Sequence, residues 1–70
     1  MKNNERAANA AYILRFAQIN NFVDNDESIT DITDIITNLL HLINQYYDED
    51  KANGVIRIAA DHFQIEISEG

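Results

Sequence analysis

One stretch limits the folds open to this chain more than any other. Ile32, Ile36, Leu39, Ile43 and Tyr46 recur at alternating spacings of four and three residues, which lines one side of an α-helix and does not fit the period-two pattern of a strand. Ile29, Leu40 and Tyr47 widen the stripe on one side, and Ile35 and Leu42 on the other. The opposite arc is polar throughout: Asp31, Thr33, Asp34, Thr37, Asn38, His41, Asn44 and Gln45. Ser28 and Asp31 supply the S/T-x-x-D/E pattern of a helix start. The Ile and Thr residues lower intrinsic helix propensity, but the packing of an apolar face supplies most of a helix's stability. The pattern predicts a long amphipathic helix over residues 29–47.

Two acidic, turn-rich segments bracket it: Asp24-Asn25-Asp26-Glu27-Ser28, and Asp48-Glu49-Asp50-Lys51 running on to Asn53-Gly54. Before the first lies an Ala-rich segment in which Tyr12, Phe16, Ile19 and Val23 form one helical stripe and Ala7, Ala11 and Leu14 a second of smaller residues. Asn3 or Asn4 can cap it, so a helix is expected over 4–23. Apolar residues spread around much of this helix, as expected of one with more than one neighbour. The third segment has two readings. As a helix over about 54–66, it carries Val55, Ile56, Ile58, Ala59, Phe63 and, at its end, Ile67 on a broad apolar face. As a hairpin over 55–67, Val55-Ile56-Arg57-Ile58 and Phe63-Gln64-Ile65-Glu66-Ile67 are the strands. The turn would then fall on Ala59-Ala60-Asp61-His62, which lacks turn-forming chemistry, and a lone hairpin is marginal in water. The expected fold is thus an all-α, compact three-helix domain spanning 1–70, with an α+β form carrying a C-terminal hairpin as the alternative.

Seventy residues form one domain at most, and a chain this small buries only about 60% of its unfolded surface. Its core is expected to supply no more than about 3–5 kcal/mol. With no Cys, neither a disulfide nor a Cys-based zinc site can add to that. Helix packing, self-association or both must do so. The N-terminal residues lack the apolar region of a signal peptide and no apolar run spans a bilayer. Together with the missing Cys, this makes a cytoplasmic location the expectation.

Five basic residues against twelve acidic ones give a net charge of −7. That balance argues against direct binding to nucleic acid or an anionic membrane, both of which need basic patches. It suits a basic protein surface, including one that normally holds nucleic acid, and it also keeps a small protein soluble. The candidate partner-binding residues are Asp24, Asp26, Glu27, Asp31, Asp34, Asn38, His41, Asp48, Glu49 and Asp50. Within the central helix, Asp34, Thr37, Asn38 and His41 can form a polar contact stripe. Asp34 and His41 lie about 10 Å apart along the axis, too far for an acid–base pair.

Catalytic and metal-binding readings find little support. An EF-hand loop beginning at Asp24 would need Gly and Glu where Ile29 and Ile35 stand. His41 and His62 lack further ligands at suitable spacing, and His62 beside Phe63 suits a partly buried, hydrogen-bonded role. There is no P-loop, and Ser28 and Ser68 have no evident base partner. No cofactor, no metal and no enzymatic activity are expected.

Asp31-Ile32-Thr33-Asp34-Ile35-Ile36-Thr37-Asn38-Leu39-Leu40-His41-Leu42 resembles a D-L-L-T-D-L-L-H-type helix found in small, functionally obscure proteins of phages and plasmids. Ala59-Ala60-Asp61-His62-Phe63-Gln64-Ile65-Glu66 is similar to the A-x-x-H-[FY]-x-x-E segment that follows it there. Asn38 departs from the pattern, standing where it is often more apolar or acidic. The resemblance implies an all-helical fold and a mobile-element origin, where many small acidic proteins block host defences, anti-CRISPR proteins among them. The function expected is inhibition of a host nucleic-acid-processing or defence complex through an acidic surface. The alternative is a small helical oligomerisation or antitoxin-like module, in which leftover apolar surface is available for a homodimer.

Overall fold

In a computed structural model describing residues 1–70, the chain forms three α-helices and no strand: α1 (Asn3–Ile19), α2 (Ser28–Tyr46) and α3 (Glu49–Glu69). It is a single all-α three-helix domain, and 55–67 lies wholly within a helix rather than a hairpin. The helices are about 25, 28 and 31 Å long at 1.5 Å per residue. Their ends meet in cyclic order. Ala17, Gln18 and Val23 adjoin Asp31 where α1 gives way to α2, Ala52 is buried where α2 gives way to α3, and Asn3 and Arg6 reach Glu66 where α3 returns to α1. The result is flat, 35 × 29 × 17 Å, with a radius of gyration of 13.4 Å against about 11 Å for a typical folded chain of this length.

α1 ends four residues short of the expected Val23, and the backbone shows why. Asn21 adopts a left-handed φ of 59°. The Phe22 N–H then bonds the Ala17 carbonyl at 2.9 Å and the Asn21 N–H the Gln18 carbonyl at 3.3 Å. These are the paired bonds of a Schellman stop, with Asn in the position usually held by Gly. Phe22 folds back edge-on to Phe16, centroids 5.8 Å apart, and Val23 is released into the junction, where it is buried. At the other end, α1 begins at Asn3 after Lys2 with no side-chain cap; the Asn3 side chain instead reaches across to α3.

The expected start of α2 is altered as well. Glu27 holds the capping position and makes no side-chain cap bond, with Ser28 as the first helical residue. Asp31, expected to complete the pattern with Ser28, reaches back to the Asp26 N–H. α3 absorbs most of the segment read as a turn. The Asp48 carboxylate accepts the Lys51 N–H at 2.8 Å, capping the helix, and Glu49 and Asp50 occupy its first turn, where the helix dipole favours negative charge. Asn53 and Gly54 therefore lie inside the helix, which runs to Glu69 instead of residue 66. A Cβ added at Gly54 would meet nothing within 4 Å.

Only four of the 70 residues are buried: Ala17, Val23, Ala52 and Asp31. On α1 Ala17 is buried and Leu14 half-buried, while Ala7 and Ala11 of the small-residue stripe and Tyr12, Phe16 and Ile19 of the larger one are exposed. No helix is long and apolar enough to cross a membrane.

Candidate functional site

The predicted site residues divide by what the fold does with them. Asp31 is the clearest correction. It has no exposed surface, so it cannot meet a partner. Its Oδ2 accepts a hydrogen bond from Gln18 Nε2 at 2.9 Å and its Oδ1 one from the Asp26 N–H at 3.3 Å. It therefore ties α1, the connecting loop and the first turn of α2 together. A polar group taken out of water is tolerated where its bonds are satisfied in this way. Gln18, the residue that makes this possible, was missed by sequence reasoning. Nothing in its local spacing marks it, because its partner lies thirteen residues away.

The other members remain accessible. Asp24, Asp26 and Glu27 are exposed on the loop entering α2, and Asn38 and His41 are exposed on the polar arc of that helix, while Asp34 is half-buried there. No side-chain hydrogen bond joins Asp34, Thr37, Asn38 and His41 into a stripe. The Thr37 hydroxyl instead donates to the Thr33 carbonyl at 2.9 Å and the Thr33 hydroxyl to the Ile29 carbonyl at 2.8 Å, the back-bonding usual for helical Thr. Asp48, Glu49 and Asp50 are exposed at the start of α3, but Asp48 is occupied with its cap.

The electrostatics are uneven. One ion pair exists in the chain, Arg6 Nε to Glu66 Oε2 at 3.7 Å. Asp24, Asp26, Glu27, Asp34, Glu49 and Asp50 thus face solvent without a basic partner from the same chain. A recess of about 620 Å³ is an open polar groove between the start of α1 and the end of α3, lined by Asn3, Arg6, Glu66 and Glu69 among others. It holds no nucleophile paired with a base. No group of three or more His, Asp or Glu residues stands close enough to hold a metal ion.

Sequence reasoning also underrated the apolar surface. Tyr12, Ile29, Tyr46 and Tyr47 keep 78, 66, 72 and 71% of their surface exposed. The signal was present in two stripes on α1 and the broad stripe on α2, more apolar faces than three helices meeting at their ends can cover. No protein-family model, curated protein or solved structure matches the chain.

Proposed function

We propose that this chain is a non-catalytic, acidic protein-binding module acting in the cytoplasm. In this reading its unpaired carboxylates dock on a basic surface of a nucleic-acid-processing or defence complex and compete with the nucleic acid that surface normally holds. The observation that carries it is the exposure of Asp24, Asp26, Glu27, Glu49 and Asp50 in a chain with one internal ion pair. Such a surface steers toward positive charge and repels phosphate backbones. The resemblance of Asp31–Leu42 to helices of phage and plasmid proteins supports placing the module among mobile-element inhibitors of host defence. The absence of Cys suits a reducing compartment.

The test is the affinity for a purified RNA-guided nuclease complex or restriction enzyme, measured by interferometry at two salt concentrations. Binding should weaken about tenfold or more between roughly 50 and 300 mM salt, because exposed charge pairs are screened. Replacing Asp24 and Asp26 by Asn and Glu27 by Gln should weaken it comparably while leaving helix content unchanged. Binding indifferent to both salt and these substitutions would sink the proposal.

A second reading, a helical assembly module, is favoured by the large exposed side chains on α1 and α2. It predicts that apolar substitutions such as Tyr46→Ala or Leu42→Ala abolish association while acidic ones do not.

A further inference from the structure

We infer that the apolar seam of α2 is closed by a second copy of this chain, making the protein a homodimer. Ile29, Ile32, Ile36, Leu39, Ile43 and Tyr46 follow one another at spacings of 3, 4, 3, 4 and 3. That is the heptad pattern by which one helix meets another along its whole length. Within the chain the seam is only partly covered, at Ile43, which is half-buried. Leu39 and Ile36, at its centre, stay 53 and 50% exposed, and its ends, Ile29 and Tyr46, are more exposed still.

Area supports a second copy of substantial contact. A folded monomer of this mass exposes about 4,450 Å², whereas this chain exposes 5878 Å². The excess of about 1,400 Å² is spread over all three helices; pairing the α2 seam covers part of it, on the scale of a standard interface of roughly 1,200–2,000 Å² in total. Charge complementarity selects the face and the occupant. Two copies of a chain carrying −7 repel one another least over a surface free of carboxylates. α2 has two charged side chains in its nineteen residues, Asp31 and Asp34. Asp31 is buried at the first junction and Asp34 lies on the polar arc opposite the seam. The charged α1 and α3 offer no such clean face, since α1 carries Glu5, Arg6 and Arg15, and α3 carries Arg57, Asp61 and Glu66 among its apolar residues. A basic partner would be drawn to the acidic loop and the start of α3. The uncharged seam fits its own copy, placed across a two-fold axis.

The purified chain of residues 1–70 alone tests this, by sedimentation equilibrium across micromolar concentrations. The expected mass is twice the 8.0 kDa of one chain, with a melting temperature that rises with protein concentration. Added salt should leave the dimer unchanged or tighten it by screening its like charges. This is opposite to the salt response of binding to a basic partner, so the two proposals can fail separately. Leu39→Ala should raise the dissociation constant about thirtyfold or more, as for a buried interface anchor, while Tyr12→Ala on α1 changes it little. Where Leu39→Ala loses helix content, Leu39→Cys decides: the natural chain lacks Cys, so a short bis-maleimide should link two copies through position 39. The same reagent should fail with Thr37→Cys on the opposite face. A single-chain mass with a concentration-independent melting temperature would overturn the inference, leaving the seam to another protein. A dimer that depends on Tyr12 and not Leu39, or one that cross-links through position 37, would overturn the placement on α2.

Discussion

Where α1 meets α2, a carboxylate with no exposed surface accepts two hydrogen bonds, and Ala17 and Val23, on either side of the turn, are buried. Where α3 returns to α1, three polar contacts occur, one part-buried like those of Asp31 and two involving the Arg6 side chain, which is open to water. Asn3 Nδ2 donates to the Glu66 carbonyl at 2.9 Å, Arg6 donates to Asn3 Oδ1 at 2.7 Å, and the Arg6 and Glu66 side chains are 40 and 34% exposed. Similar bonds have different consequences in these two places. Breaking a bond at the first junction leaves the buried Asp31 carboxylate, or the half-buried Gln18 amide, short of a partner. At the other, water replaces the lost partner. The chain is therefore expected to be held at one junction and merely closed at the other.

Asp31→Ala is the severest way to probe this contrast. It leaves the Gln18 amide and the Asp26 N–H without their acceptor and should cost about 1–3 kcal/mol, a large share of the few kcal/mol a core of this size supplies. Urea denaturation followed by circular dichroism, at one fixed protein concentration so that any dimerisation is held constant, reads this as a fall in midpoint. A loss below about 0.5 kcal/mol, within the range of an ordinary surface substitution, would mean that the first junction is as wet as the last.

The junction between α2 and α3 gives the intermediate case. Ala52 is buried there, yet its polar element is an exposed helix cap, the Asp48 carboxylate on the Lys51 N–H. Asp48→Ala should cost about 1 kcal/mol, the usual worth of such a cap. It should also speed amide exchange in the first turn of α3 more than in α1 or α2, as measured by hydrogen exchange with NMR detection. Uniform acceleration across all three helices would show that this cap supports the whole fold, making the middle junction as important as the first.

What could be read in advance follows the same division between local and distant causes. α2 was legible because its apolar spacing repeats through five turns, and periodicity of that length admits one reading. The hairpin alternative fell for a local reason too, since Ala59-Ala60-Asp61-His62 offers no turn and the helix continues through it. Helix ends were less legible. Asn20-Asn21 held a stop signal outweighed by the apolar Phe22 and Val23 that follow, and Asp48 was counted with an acidic turn when its geometry made it a cap. Asp31 was misplaced because its neighbours on the helix surface were read from the wrong side. It shares a face with Ile35 and Leu42, four and eleven residues on, and Gln18 of α1 meets that face at Asp31. The role of Gln18 depends on two helices meeting, which no local spacing records. The sequence did show more apolar surface than three helices meeting at their ends can bury.

Arg6→Ala should have the smallest effect and tests the other end of the contrast. The Arg6–Glu66 pair is long at 3.7 Å and partly solvated, and exposed pairs of this kind contribute about 0–1 kcal/mol. Its removal also frees the Asn3 Oδ1 that Arg6 bonds, but that oxygen can turn to water. The Asn3 bond to the Glu66 carbonyl does not require Arg6 and should persist. Stability should change by no more than about 0.5 kcal/mol, as for most surface substitutions, with faster amide exchange confined to the last turn of α3. A loss comparable to that of Asp31→Ala would show that the ring of helices depends on its closure, and that α1 and α3 hold α2 in place as much as the buried carboxylate does.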